Sequence, residues 1–519
     1  MATFWKKHKI LSLLFVVLVV SFFFRFWQLD SVPPGLYPDE AMNGVNALEA
    51  IDSGRYKVFY PENNGREGLF INIQAENIKL LGNTPFALRS VSALFGTLTI
   101  GAVFIFLWLL LQNTRIAFVS SLLMAFSFWH LNFSRIGFRA ITMPFFLILA
   151  LIFLLFALRN FSKSLLSAFY FLASGVFLGL GLHGYTPFRL MPLLFITIFI
   201  ILVIIKNFSF KTLLFRFFLL GVTCILVFSP LLLHFMQNSN DFSNRHNKIY
   251  FFQQEEPLKE LITTTKKHLS MFNFVGDCNT RHNYDCKPQL NYIAGAFFLI
   301  GLIGICFRSI RNYLKSPYLW ILPLGLFFTL LPGILASEGA PHALRTIGVI
   351  PFAFAFAGIG IEIVYQKIKS RKLFFTYGIF VLLVIATVFI GPYHYFIKWP
   401  KTNPDFSQNY LSESLFLKQF SDYQKFIVVN VSTGVEEKGF PTTIMTSKYV
   451  LWQEFKSGNL TYIYPKNIDE IKNFPKAVIV MMEKDESLAN KIREMTESQN
   501  LRAYEGGFYA FIVDNNNLK

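Results

Sequence analysis

The chain has 519 residues, 53% of them hydrophobic and 17% aromatic, with only 15% charged. That balance excludes an ordinary water-soluble globular protein, which needs more charge on its surface. The formal net charge of +17 would suit a nucleic-acid partner, but it falls in short clusters between apolar runs, which argues against one.

Apolar runs long enough to cross a bilayer recur from Ile10 to Gly391. They cover residues 10–27, 91–111, 116–132, 141–158, 164–182, 188–205, 213–235, 290–307, 317–335, 345–365 and 373–391. The reading is an α-helical multi-pass membrane protein with about eleven transmembrane helices. No small-x-small cleavage site follows the first run, so it is read as a span and not as a signal peptide.

Basic residues gather in alternate loops: Lys6, Lys7 and Lys9; Arg115; Arg159 and Lys163; Lys206, Lys211 and Arg216; Arg308, Arg311 and Lys315; Lys367, Lys369, Arg371 and Lys372. The positive-inside rule then places the N-terminus and these loops in the cytoplasm. Every long loop faces out, including a first loop at 28–90, a second at 236–289 and everything after 391. The expected location is the cytoplasmic membrane, with residues 1–391 as the transmembrane module.

After Gly391 the texture becomes that of a soluble domain. Residues 425–431, 477–482 and 508–513 read as strands, and 409–422 and 486–498 as helices. Residues 392–519 are therefore expected to form a small extracytoplasmic α/β domain: a lid, an acceptor-binding platform or a purely structural module. It carries no nucleotide-binding glycine motif and no triad spacing, and the chain shows no internal repeat of the transporter kind.

Cys224 and Cys306 sit in spans and read as packing residues. Cys278 and Cys286 lie in the second outer loop, where a disulfide would be worth about 2–3 kcal/mol by loop closure. Free thiols, or a metal site with His282, are the alternatives.

The first outer loop holds an adjacent acidic pair in Tyr37-Pro38-Asp39-Glu40-Ala41. Two carboxylates beside a membrane face are costly to desolvate and point to a role beyond packing. The same loop has Glu62, Arg66, Glu67 and Arg89. Further outer turns contribute His130, Arg135 and Arg139; His183, Tyr185 and Arg189; Arg281 and His282; and Glu338, His342 and Arg345. Any one of these could simply snorkel or pair. Gathered on one side of a membrane, they suit a lipid-linked phosphate: Arg binds phosphate oxygens bidentately, and a carboxylate can take a proton from an attacking hydroxyl.

The motifs carry a family resemblance. Tyr37–Ala41, Gly65-Arg66-Glu67-Gly68-Leu69-Phe70 and Phe86–Leu94 resemble the first loop of GT-C glycosyltransferases that use polyprenyl-phosphate sugars. These include the protein O-mannosyltransferases of family 39 and the bacterial aminoarabinose transferases. Ser134–Ala140, Gly179–Pro192, Gly276–Pro288 and Ser337–Pro351 add to the likeness, which covers most of 28–365. It implies the GT-C fold, with Asp39 as the catalytic carboxylate, Glu40 as its partner and Arg89 as an anchor for the loop-1 helices. Many relatives have Glu-Lys or Lys-Pro where this chain has Arg66-Glu67, and Gly68 replaces a proline. The donor-phosphate role is therefore expected at Arg135, Arg139 or Arg345.

The expected activity is membrane glycosyl transfer, mannosyltransferase-like, from a polyprenyl-phosphate sugar to a hydroxyl of a protein, lipid or glycan acceptor, with inversion. A divalent metal, with His183, Glu338 or His342 as ligands, is compatible with the sequence. The main competing reading is a non-enzymatic transporter or flippase of lipids or lipid-linked sugars. Against it, ionisable residues are scarce within the spans. An oligosaccharyltransferase would carry a Trp-Trp-Asp signature, and the chain has none.

Overall fold

A computed structural model describes residues 2–205, 208–242, 256–313, 317–370, 374–401, 406–431, 436–437, 440–474, 476–496, 501–503 and 508–514. Lys206, Lys315, Arg371, Lys372 and Ser498 lie outside the described residues, as do the side chains of Lys6, Lys7, Cys306, Arg308 and Arg311. The chain divides into two compact units. The first comprises residues 1–27, 58–70 and 89–402, and the second residues 28–57, 71–88 and 403–519.

The first unit is helical. Among the described residues, eight helices are long and apolar enough to cross a membrane: His8–Phe26, Pro85–Leu111, Arg139–Arg159, Ser164–Leu182, Thr186–Ile205, Phe210–Gln237, Ile347–Ser370 and Thr376–Lys401. Three shorter apolar helices, Thr114–Phe126, Tyr292–Ile305 and Tyr318–Ile334, fall on the other expected spans. The protein is a multi-pass membrane protein.

Small residues set how closely these helices approach. Gly301 and Gly360 face each other where the helices Tyr292–Tyr313 and Ile350–Ser370 cross; a Cβ on Gly301 would run into the Phe356 carbonyl, and one on Gly360 into the Phe297 carbonyl. Gly175 and Gly179 likewise bring Ser164–Leu182 against the carbonyls of Leu220 and Cys224. Where lipid replaces water, such packing and hydroxyl hydrogen bonds hold helices together, because apolar burial no longer does. Ser174 and Ser167 donate to the carbonyls of Ala150 and Ala157 at 2.8 and 3.0 Å, joining two neighbouring spans. Large apolar side chains such as Phe215, Phe218, Ile225 and Leu226 point outward from Phe210–Gln237, as a lipid-facing surface requires.

The second unit holds a five-stranded sheet. Its strands are β1 (Gln424–Val428), β2 (Leu460–Ile463), β3 (Lys476–Met481), β4 (Leu501–Ala503) and β5 (Tyr509–Asp514), in the order β2-β1-β3-β5-β4. The first three are parallel, and β5 and β4 close the edge antiparallel. Alternate residues Phe426, Val428, Ile479, Met481, Phe511 and Val513 share a core with Ile468, Ile471, Leu488 and Ile492. The expected strands and helices of this region therefore form.

The same unit contains the helices Pro38–Ser53 and Gly68–Leu81, the latter from Ile71 onward. Pro38–Ser53 packs on the short helix Met445–Val450. Gly44 leaves room for the Tyr449 ring, whose hydroxyl donates to the Thr84 carbonyl at 3.0 Å. Trp452 Nε1 and Lys456 Nζ both reach Asp52 Oδ2 at 2.9 Å. Thr446 donates to the Leu36 carbonyl at 2.9 Å. Gly35 has φ of 79°, and a side chain there would strike the Phe406 carbonyl. Much of the first loop thus shares its packing with the C-terminal residues.

Candidate functional site

The sequence-derived residues fall in both units. In the second, Tyr37 caps the helix Pro38–Ser53, Pro38 opens it, and Asp39 and Glu40 occupy its first turn. Glu40 is fully buried, and its Oε1 accepts the Tyr37 amide at 3.0 Å, closing a capping box. Asp39, one residue earlier, is half-buried. The two acids differ in consequence: Glu40 holds the turn, and Asp39 is the carboxylate that the turn presents. Tyr449 packs nearby, its phenol pushed far above its ordinary pKa by burial and then by the Glu40 carboxylate.

In the first unit, Arg89 is fully buried near the start of Pro85–Leu111. Arg135 is also fully buried; its NH1 donates to the carbonyls of Phe24 and Arg25 at 2.8 and 2.9 Å. It thereby satisfies carbonyls at the end of the first helix that have no helical partner. Its guanidinium lies 4.8 Å from the Phe396 ring.

Arg66 and Glu67 form the second strand of a two-residue ribbon with Phe59–Tyr60. Arg66 donates from Nε to the Glu62 carbonyl at 3.2 Å. Glu67, its side chain 1% exposed, sits between two guanidiniums: Arg139 Nε at 2.9 Å and Arg189 NH2 at 3.3 Å. Thr186 Oγ1 adds a third hydrogen bond at 2.9 Å. Burial pushes the Glu67 pKa up, but Arg139 and Arg189 outweigh it and the net direction is down. Tyr185 lies under Arg139, and Phe235 and Phe242 flank Arg189. His183 Nε2 donates to the Val227 carbonyl at 2.9 Å. The altered charge order at Arg66-Glu67 thus serves a buried clasp.

The remaining residues gather at two turns of the first unit. Cys278 and Cys286 are joined by a disulfide. Just before it, Asp277 is buried, accepting the Asn279 amide on Oδ1 and both His282 Nδ1 and the Ala343 amide on Oδ2, each at 2.8 Å. His282 Nε2 in turn accepts from Arg281 Nε at 3.2 Å. His342 lies 4.8 Å from His282, ring to ring. Arg345 binds Glu338 twice, through its carbonyl at 2.6 Å and its carboxylate at 2.9 Å. Burial holds the His268, His282 and His342 pKa values below the ordinary imidazole range.

Asp277 and His268 were missed in the sequence. The signal for Asp277 was an Asx turn, an acid whose side chain binds the amide two residues on. Asp277, His282 and His342 present ligand atoms within 4.8 Å of one another, a spacing suited to a metal ion. As arranged they do not fit one. Oδ2 of Asp277 and both nitrogens of His282 are engaged in hydrogen bonds, and Arg281 and Arg345 add positive charge beside them.

Comparison with known proteins adds the fold. Residues 70–234 match the family model for dolichyl-phosphate-mannose-protein mannosyltransferase. The structure is similar to ArnT from Cupriavidus metallidurans bound to undecaprenyl phosphate, with a TM-score of 0.59 and 14% identity over 99% of this chain and 98% of that one. It matches the apo state of that protein equally, at 12% identity. It is also similar to AglB, the oligosaccharyltransferase of Archaeoglobus fulgidus, in complex with an inhibitory peptide and a dolichol-phosphate. There the TM-score is 0.53 and the identity 14%, over 92% of this chain and 69% of AglB. No curated protein sequence matches the chain. At these identities the likeness establishes the fold, and it is the GT-C fold that the motifs led one to expect.

Proposed function

We propose that the chain is a glycosyltransferase that moves a hexosyl or pentosyl unit from a polyprenyl phosphate to a hydroxyl of a protein, lipid or glycan acceptor. The reaction takes place on the outer face of the cytoplasmic membrane. The observation that carries this reading is the pair of guanidiniums at residues 277–282 and 338–345, one of them paired with an exposed carboxylate. Arg281 and Arg345 stand there with neutral histidines against Asp277, which is used internally, and Glu338, whose side chain is 73% exposed. An ion pair with so exposed a carboxylate contributes little, so a phosphate can take its place on Arg345. ArnT and AglB, which share the fold, have been solved with undecaprenyl phosphate and dolichol-phosphate.

The chemistry follows from charge. The acceptor oxygen attacks the anomeric carbon as its proton passes to Asp39. The bond from that carbon to the phosphate oxygen breaks, and its electron pair stays on the phosphate. Attack opposite the leaving group inverts the anomeric centre. Glu40 is a positioning residue, because it holds the turn that carries Asp39. Proton acceptance by a placed carboxylate is worth about 10²–10⁴-fold.

The test is Asp39→Asn in proteoliposomes supplied with a panel of polyprenyl-phosphate sugars. The variant folds and inserts normally and loses transfer by at least about 10²-fold. Turnover near that of the wild type removes Asp39 from the mechanism. Flipping of the lipid without transfer supports the transporter reading instead.

A further inference from the structure

The mechanism above leaves the imidazole of His342 unused, yet its surroundings fix it closely. A backbone amide can only donate, so the His342 amide, 3.2 Å from His268 Nε2, makes that nitrogen an acceptor. His268 Nδ1 then carries the hydrogen and donates to the Thr264 carbonyl at 2.8 Å. The Arg345 amide donates in the same way to His342 Nδ1 at 3.3 Å. A neutral ring with Nδ1 accepting carries its hydrogen on Nε2. His282 is fixed too: its Nε2 accepts from Arg281, and its Nδ1–H is held by Asp277. Groups that can only donate, or only accept, thus set all these tautomers.

We infer that His342 is a neutral hydrogen-bond donor, its Nε2–H directed to a phosphate oxygen of the lipid-linked substrate, beside the charge supplied by Arg345. The inference rests on the proposal that a lipid phosphate binds at this turn. His342 and Arg345 lie on one turn, joined by the amide-to-Nδ1 hydrogen bond, so the imidazole and the guanidinium are presented together. The ring is half-buried and its neighbours oppose a second proton: burial first, then His282, Arg345, Arg281 and His268. An N–H that stays neutral gives direction without adding a further charge to the turn. A guanidinium supplies charge, and a fixed N–H selects where an oxygen sits. Asp277 supports the arrangement by tying the disulfide loop to the Ala343 amide, the next residue along.

The test uses the full chain in lipid nanodiscs with undecaprenyl phosphate as the probe, comparing wild type, His342→Gln, His342→Asn, His342→Ala and Arg345→Gln, each checked by thermal unfolding. Gln places an amide N–H near the position of Nε2. Asn places an acceptor near Nδ1, where it serves only the Arg345 amide. The expected result is that Gln binds within about threefold of wild type, while Asn and Ala bind roughly 10–100-fold more weakly. A purely structural ring reverses that order, with Asn normal and Gln impaired, and overturns the inference. Wild-type binding by His342→Ala with loss in Arg345→Gln overturns it alone and leaves the phosphate site standing. Wild-type binding by both variants overturns the phosphate site as well.

Discussion

Replacing Glu67 by Gln should destabilise the protein, because it leaves two buried guanidiniums without their anion. The Glu67 carboxylate takes Arg139 at 2.9 Å and Arg189 at 3.3 Å, with its side chain 1% exposed and theirs 10% and 15%. Removing one partner from a buried charge pair costs about 3–5 kcal/mol, mostly for the charge left behind. Gln can still accept from Thr186, so that hydrogen bond does not enter the difference. The assay is thermal and denaturant unfolding of purified protein in one detergent, followed by tryptophan fluorescence. A second substitution, Arg139→Met, added to Glu67→Gln should recover part of the loss. The pH dependence has a definite sign. The folded pKa of Glu67 is lowered: burial raises it, and Arg139 and Arg189 lower it further. Its stabilisation is therefore complete above the unfolded carboxylate value and is lost as pH falls through the lower folded value. The wild-type and Gln proteins should differ at neutral pH and converge only in acid. Equal unfolding midpoints at pH 7 would refute the clasp.

Cys278→Ser with Cys286→Ser should lower stability by about 2–3 kcal/mol; equal masses after alkylation with and without reductant would show that the bond is not there. Gly360→Leu should wedge two helices apart at Gly301 and yield aggregated protein on size exclusion; a monodisperse, active variant would contradict that crossing. Trp452→Phe removes the hydrogen bond to Asp52 and should increase protease cleavage within both 38–53 and 445–456. Cleavage confined to the later segment would count against their shared packing.

The spans were legible because long apolar runs have one stable use, and even the shorter helices Thr114–Phe126 and Tyr292–Ile305 fell where expected. The strands of the C-terminal region were legible as short apolar runs rich in Val, Ile and Phe. The arginines were not. Sequence separates a phosphate ligand from a structural guanidinium only when the partner is near in sequence, and the partners of Glu67 come 72 and 122 residues later. Arg135 read as a candidate for the donor phosphate, but it is used on carbonyls 110 and 111 residues earlier. Asp277 stood inside a motif whose cysteines drew the attention, and its partner, the Ala343 amide, is a backbone group no side-chain pattern can reveal.

The bond from Trp452 to Asp52 spans 400 positions of the chain, and those from Tyr449 to Thr84 and from Thr446 to Leu36 span 365 and 410. During translation the segment bearing Asp39 therefore emerges long before the residues it settles against have been made. It must wait, soluble and unaggregated, until the ribosome has nearly finished. A nonsense codon anywhere before residue 446 would then silence the protein by leaving its earliest loop without these partners.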